Sequence, residues 1–217
     1  MSAAVPTGLT TLPFLAHPLH TERLLLRPLT EADADDVFAY QSIPEVVRYL
    51  PWPLRDRDES REHTLKRAEF TRLEDDRDAM ILAVELGNET GEPGRVIGDI
   101  SVFLDSGANA QLEIGWVIHP DSQGRGYATE AARAVLDLVF GEIGAHRVMA
   151  RLDPRNLASV ALCRSLGMRQ EAHFVECEIF KGEWSDLAVY AILKRDWESS
   201  PAPTRTATGT APGAVSS

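Results

Sequence analysis

The sequence predicts an α+β fold with a mixed, mostly antiparallel twisted sheet of about seven strands and flanking helices. Two apolar, β-rich runs at residues 79–86 and 96–104 are joined by a polar, turn-rich loop, and a third run follows at residues 111–118. That run leads through a glycine loop into a helical pattern, after which residues 147–152 form another strand. A strand–helix–strand unit implies a right-handed crossover and one parallel pair, a step that can open a cleft.

The first third of the chain predicts a strand and two helices. An opening strand lies within residues 20–29, and Thr30 is suited to cap a helix whose first turn is acidic. Residues 55–78 carry alternating charges, with Leu65 and Phe70 at loose helical spacing. We expect a solvated amphipathic helix there, supported by pairs four residues apart.

The rest of the chain predicts the remaining elements and the domain limits. A helix over residues 156–166 precedes two strands, and residues 199–217 are rich in Ala, Pro, Thr, Ser and Gly, which predicts a disordered tail. Residues 1–18 are expected to form a flexible N-terminal segment, which leaves one domain over residues 19–198.

Composition narrows the class of protein. The 217 residues carry a net charge of −11, which argues against a general nucleic-acid binder and is compatible with a cationic substrate. No apolar run approaches the ~20 residues that span a bilayer, and the start of the chain lacks the pattern of a secretory signal, so we expect a cytoplasmic protein. The two cysteines and six histidines show no ligand spacing, so we expect no metal.

The segment Gln123-Gly124-Arg125-Gly126-Tyr127-Ala128, followed by Thr129, indicates a phosphate-binding loop. Two glycines allow the backbone to approach a ligand closely, and a helix that begins there directs unpaired N–H groups at an anion. The spacing fits neither a P-loop, which needs Lys-Ser/Thr, nor the three-glycine dinucleotide motif. A tight strand-to-helix turn with a polar cap is the structural alternative.

This loop resembles the acetyl-CoA loop of the GNAT superfamily of N-acetyltransferases. Its pattern Gln/Arg-x-x-Gly-x-Gly/Ala can be laid on Gln123, Gly124, Gly126 and Ala128 with slightly shifted spacing, and the variant resembles the RimJ/RimL-like, ribosomal-protein-alanine branch. Segments that resemble the family's opening strand, second cofactor motif and closing hairpin follow in order, roughly from Thr21 to Trp197. The resemblance implies a GNAT fold in which a splayed parallel pair of strands holds acetyl-CoA.

The resemblance also implies a set of cofactor-binding residues. They lie on the strand before the loop, on the loop itself, at the start of the helix that follows it, and on the helix over residues 156–166. They are Trp116, Val117, Ile118, Gln123, Gly124, Arg125, Gly126, Tyr127, Ala128, Thr129, Asn156, Ser159 and Arg164. Asn is also a preferred N-cap, so Asn156 has a structural role available, and Arg164 is equally suited to a surface position.

Two residues are candidates for catalysis. Glu113 is a carboxylate in an otherwise apolar strand and could act as the base that deprotonates the amine; pairing with an arginine such as Arg147, or exposure to solvent, is an equally weighted alternative. Glu171, Glu176 and Glu178 rank below it. The resemblance implies an acid near the departing sulfur, and Ser159 takes that role because no tyrosine occurs between Tyr127 and Tyr190.

The expected function is transfer of acetyl from acetyl-CoA to a primary amine, either a peptide N-terminus or a small amine, by direct attack. Neither nucleic acid nor membrane is an expected partner, and the protein is expected to be a monomer or homodimer. Two rival functions remain open. One is a non-catalytic CoA-binding sensor or scaffold, and the other is protein recognition through residues 55–78.

Overall fold

A computed structural model describes residues 8–87 and 94–199. The expected disordered tail therefore lies outside the described residues from position 200 onward. The strands, in chain order, are β1 (Phe14–Leu15), β2 (Leu19–His20), β3 (Leu24–Pro28), β4 (Arg72–Leu73), β5 (Ala79–Leu86), β6 (Arg95–Ser106), β7 (Gln111–Ile118), β8 (Arg147–Leu152), β9 (Arg169–Phe180) and β10 (Glu183–Leu193). The helices are α1 (Ala34–Gln41), α2 (Pro44–Val47), α3 (Arg57–Ala68), α4 (Tyr127–Gly141), α5 (Leu157–Ser165) and α6 (Lys194–Ser199).

Eight strands form one mixed sheet in the order β2-β3-β5-β6-β7-β8-β10-β9. Neighbours run antiparallel except β7 and β8, which are parallel and are joined through α4. The predicted α+β class and the single parallel step are confirmed. The sheet has one strand more than the seven expected, because the two-residue strand β2 adds to the edge beside β3.

The two faces of the sheet carry different helices. Leu112 and Ile114 of β7 lie in the larger core cluster together with Val135 and Val139 of α4. Val117 is an odd number of residues away from both, so its side chain points to the other face of the sheet. There it belongs to a second cluster, which includes Tyr40 of α1. Strand β7 is therefore covered on both sides, and neighbouring residues along it serve opposite faces.

The N-terminal segment differs from the expectation that residues 1–18 are flexible. Among its described residues, Phe14 and Leu15 form β1 and pair with β4, and Leu9, Leu12 and Phe14 pack against the larger core cluster. The hydroxyl of Thr11 also donates to the carbonyl of Ile143 at 2.5 Å. Residues 8–18 are part of the folded domain because their apolar side chains cover its core.

Helix α3 also differs from the expected amphipathic helix. Asp56 and Glu59 form a capping box at its start, but Leu65 and nearby Phe70 are exposed. The face turned inward is polar, consisting of Ser60, Thr64 and Arg67. This arrangement is possible because Arg67 reaches a buried carboxylate, Asp99 of β6, with Nη2 to Oδ1 at 2.6 Å.

Candidate active site

The parallel strands β7 and β8 separate soon after they begin. They pair only from Gln111 opposite Arg147 to Glu113 opposite Met149. β8 continues its pairing with β10 as far as Leu152, and β7 continues its pairing with β6. The second half of β7 therefore borders a gap on the side of β8.

A cavity of about 630 Å³ lies at this gap. Its walls come from β7, the glycine loop, the first turn of α4, and α5, with α2 on the far side. Of the residues predicted to bind the cofactor, those that line it are Trp116, Val117, Ile118, Gln123, Gly124, Gly126, Tyr127, Ala128, Thr129, Asn156 and Ser159. Arg125, Arg164 and Glu113 are not among the lining residues.

The glycine loop has the backbone that its sequence predicts. Gly124 and Gly126 have φ values of 71° and 82°, a region that costs other residues about 1–2 kcal/mol. Helix α4 begins at Tyr127, two residues before the predicted start, and among the described residues no side chain caps it. Tyr127, Ala128 and Thr129 line the cavity, so the positive end of the helix dipole lies at its wall.

Arg23 and Glu130 hold this loop in place. Glu130 accepts from the Arg23 backbone N–H at 2.9 Å and from its Nε at 2.7 Å, while Arg23 Nη1 donates to the carbonyl of Arg125 at 3.0 Å. The same guanidinium lies 4.5 Å from the ring centroid of Tyr127. Sequence reasoning missed Arg23 because nothing local to residue 23 indicates that it meets a loop a hundred residues later.

A hydrogen-bonded chain crosses from β7 to α5 beside the gap. Trp116 Nε1 donates to the Ser159 hydroxyl oxygen at 3.1 Å. The backbone N–H of Ser159 in turn donates to Asn156 Oδ1 at 3.2 Å, which makes Asn156 the N-cap of α5. The indole N–H thus holds the Ser159 oxygen in place. The Ser159 O–H can still donate its own proton to another acceptor.

Glu113 lies on the opposite face of β7 from Trp116. Its Oε2 accepts from Arg151 Nη1 at 2.5 Å, and Arg151 Nη2 reaches Asp105 at 3.2 Å. Burial raises the pKa of Glu113 and Asp105 raises it further, although Arg151 opposes the shift. A Cβ built on Gly115, which shares this face, would meet nothing within 4 Å. Open space therefore adjoins Glu113.

The three lower-ranked carboxylates lie on β9, the outer strand of the sheet, and do not line the cavity. Glu171 is paired with Arg147 at 2.5 Å, whereas Glu176 and Glu178 are exposed. The Cys163 thiol is buried in α5, and burial raises its pKa to about 12, so it stays protonated near neutral pH.

Several cavity residues were not predicted. Glu45, Val46, Tyr49 and Leu50 come from α2 and the residues after it. The turn between β9 and β10 closes toward the same helix, because Lys181 Nζ donates to the carbonyl of Val47 at 2.6 Å. This segment carries no motif that indicates a cavity wall, and its contribution to the cavity depends on tertiary packing.

Two negative findings apply to residues 8–87 and 94–199. None of the helices there is long and apolar enough to cross a membrane. No group of three or more His, Cys, Asp or Glu residues in these ranges is arranged to hold a metal ion.

Comparison with known proteins identifies the family. Residues 23–169 match the family described as "Acetyltransferase (GNAT) domain". The chain is 33% identical over 177 residues to the uncharacterized N-acetyltransferase YnaD of Bacillus subtilis, covering 82% of this chain and 97% of that relative. An 84-residue stretch, 39% of this chain and 43% of the relative, is 30% identical to the [ribosomal protein uS5]-alanine N-acetyltransferase of Escherichia coli.

Solved structures agree with this assignment. A GNAT-family acetyltransferase from Bacillus anthracis superimposes with a TM-score of 0.72 at 31% identity, covering 82% of this chain and 99% of that one. The fold, the split parallel pair and the sequence match all lead to the same result. The chain belongs to the GNAT family of acetyltransferases.

Proposed function

We propose that the protein is an N-acetyltransferase that moves acetyl from acetyl-CoA to a primary amine by direct attack, without an acyl-enzyme. One observation carries the proposal: a single cavity connects the glycine loop and the uncapped start of α4 to the gap between β7 and β8. An anion can bind at the first point, and an unpaired strand can bind an extended arm at the second.

The cofactor roles follow from this geometry. The N–H groups of residues 124–129 would hold a pyrophosphate, with Arg125 and Arg164 available outside the cavity wall as cations. The backbone of Trp116, Val117 and Ile118, which does not pair with β8, would bind the amide-bearing arm. The Ile118 carbonyl already accepts from Gln123 Nε2 at 3.0 Å. Acetyl-CoA supplies the activated acyl group. Asn156 would serve both as cap of α5 and as a polar contact for the arm.

We assign proton transfer to Glu113 and Ser159. The amine nitrogen attacks the acyl carbon, the C–N bond forms, the C–S bond breaks, and one proton must leave nitrogen while the thiolate accepts one. A carboxylate whose pKa is raised by burial is a better base than an ordinary one, and Glu113 borders open space on the face of Gly115. The Ser159 hydroxyl, on the opposite face, has a proton available for the thiolate.

For the acceptor we propose a peptide N-terminus or a small amine. The RimJ/RimL-like branch is supported by the loop sequence and by the partial match to the uS5-alanine enzyme. The match covers 39% of the chain. We place the acceptor on the Gly115 face of β7, on the side of α2 and α3.

The test is an acetylation screen. Purified protein is incubated with acetyl-CoA and a panel of peptides and small amines, free thiol is followed continuously, and acetylated products are identified by mass spectrometry. We expect amine-dependent thiol release with one acetyl group per product, and sequential rather than ping-pong kinetics. Burst release of CoA before any amine is added would contradict direct attack.

A non-catalytic CoA-binding sensor is the second candidate, and the Arg151 contact favours it. An arginine 2.5 Å from Glu113 stabilises the carboxylate as an anion and occupies one of its oxygens. Tight acetyl-CoA binding by calorimetry, together with no product across the whole amine panel, would support the sensor and contradict the enzyme.

A further inference from the structure

Four buried polar atoms between α2 and α3 lack any hydrogen-bond partner among the described residues. They are Trp52 Nε1, Arg55 Nη1, Ser60 Oγ and His63 Nδ1. Three of these can donate a hydrogen bond in any state, and His63 can do so in one tautomer. A buried donor without an acceptor costs about 1–3 kcal/mol, so several of them close together indicate a missing acceptor.

Arg55, His63 and Arg67 cluster around the indole of Trp52. The ring centroids of Trp52 and His63 are 5.1 Å apart. The Arg55 Cζ lies 5.6 Å from the indole centroid, and Arg67 Cζ lies at the same distance from it. Two guanidinium groups thus share one aromatic ring, an arrangement that is stable only if their mutual repulsion is offset.

The cluster carries an excess of positive charge. Arg67 is neutralised by Asp99, which it contacts through both terminal nitrogens at 3.2 Å and 2.6 Å. Arg55 makes no direct ion pair within the described ranges, and Glu59 is the carboxylate whose charge acts on it. Burial, together with Arg55 and Arg67, lowers the pKa of His63 to about 4, so the imidazole is neutral. The Arg55 guanidinium therefore has no carboxylate in direct contact among the described residues, in a protein whose net charge is −11.

The cluster adjoins the acceptor side of the active site. Leu50 lines the cavity and Trp52 follows two residues later. Arg67 Nη2 reaches the hydroxyl of Ser101 at 3.4 Å, and Ser101 is paired with Gly115, above which the structure is open. The cluster is thus linked through Arg67 to the strand face of Gly115, although Trp52, Arg55 and His63 do not line the cavity itself.

We propose that Trp52, Arg55 and His63 form a subsite for a carboxylate carried by the acceptor, so that the acceptor is an amino acid or a short peptide rather than a polyamine. This inference rests on the proposed acetyltransferase activity. Arg55 supplies the charge, and the indole N–H and imidazole N–H supply fixed donors. A site built around buried donors discriminates strongly against an analogue that leaves them unpaired.

Paired acceptors test the subsite. Each amine in the panel is offered as the free acid and as its C-terminal carboxamide, with alanine, glutamate and a dipeptide as the acids. Glutamate is also compared with glutamine, its γ-amide, to separate the effects of its two carboxylates. We expect at least about tenfold higher kcat/KM for the acid of each pair, arising mainly in KM. Equal or better acetylation of the amides would overturn the proposal.

Variants test whether the preference for acids depends on Arg55 and Trp52. Arg55→Gln should bring the acid-to-amide ratio of kcat/KM close to one. Trp52→Phe, which keeps an aromatic ring but removes the N–H donor, should lower the ratio partly. Arg57→Gln is the matched control, because Arg57 is two residues away, exposed and paired with Asp35. A ratio that is unchanged in Arg55→Gln, or that falls equally in Arg57→Gln, contradicts the subsite.

A binding readout separates this proposal from the activity. Succinate is titrated into the protein while thermal unfolding is followed. Saturable stabilisation in the wild type and in Arg57→Gln, lost in Arg55→Gln, would support the subsite even if no amine were acetylated, in which case the proposed activity alone would fail. No stabilisation in the wild type, together with no preference for acids, would overturn the subsite.

Discussion

Glu130 joins the first turn of α4 to Arg23, the residue that precedes β3. Its carboxylate accepts from the Arg23 backbone and from the Arg23 side chain, and that side chain in turn supports the carbonyl of Arg125. Hydrogen bonds from Thr21 and Arg23 outweigh the effect of burial and lower the pKa of Glu130. The loop conformation is therefore maintained by residues far away in the sequence.

The first prediction concerns this contact. Glu130→Gln removes the charge that binds Arg23, so the loop should lose part of its preorganisation and acetyl-CoA should bind about 3–10-fold more weakly, measured by calorimetry. Stability should fall by only about 1 kcal/mol, because the Arg23 side chain is partly exposed. Glu142→Gln, which removes an exposed pair with His17, is the control and should leave binding unchanged.

The second prediction separates backbone conformation from cofactor contact. Gly124 and Gly144 both have positive φ, 71° and 82°, and a Cβ on either would meet nothing within 4 Å. Alanine at either position should cost about 1–2 kcal/mol of stability, seen as a lower denaturation midpoint. Only Gly124→Ala should also weaken acetyl-CoA binding, by tenfold or more. Equal affinity in the two variants would remove Gly124 from the binding loop.

The third prediction tests the base. Glu113→Gln should reduce kcat about 100-fold or more while the KM for acetyl-CoA stays the same, and the loss should shrink at high pH as more amine is already neutral. Glu171→Gln breaks a similar arginine pair on β9 and should retain activity. If both variants keep wild-type kcat, Glu113 has only a structural role with Arg151.

The fourth prediction tests the hydroxyl on α5. Ser159→Ala should lower kcat about 10-fold, because the thiolate then leaves without a proton from the protein. Trp116→Phe, which removes only the indole N–H that orients this hydroxyl, should give a smaller loss with the same pH profile. A larger effect of Trp116→Phe on kcat would contradict the direct role of Ser159.

The fifth prediction follows from the neutral His63. Its folded pKa of about 4 lies below the unfolded value of 6.5, so the unfolded state binds more protons between these values and stability rises with pH across that window. The groups that act on it are Arg55, Arg67, Lys66 and Asp99. Chemical denaturation of wild type should therefore weaken below pH 6.5, by at most about 3 kcal/mol near pH 4.

Removing the titrating group provides the control for this prediction. His63→Gln should flatten the pH dependence between pH 4 and 6.5 relative to wild type. Because the remaining carboxylates titrate in both proteins, the difference between the two curves is the measured quantity. Parallel curves would show that His63 has the same pKa in the folded and unfolded chains.

The local sequence determined the central strands of the sheet and the backbone of the glycine loop. Strands β5, β7 and β8 have the predicted bounds, because each is a continuous β-rich run between turn residues. The glycines at 124 and 126 adopt the positive φ values that only glycine accepts readily. These features depend on neighbours within a few residues, which the sequence displays directly.

Only the tertiary structure decided which distant residues meet at the site. The contact of Arg23 with Glu130, the pairing of Glu113 with Arg151 rather than Arg147, and the polar inner face of α3 each join residues 30 or more positions apart. Local propensity and hydrophobic period carry no information on such partners. Sheet order places them together, and burial then makes their pairing necessary, since a charge removed from water needs a partner.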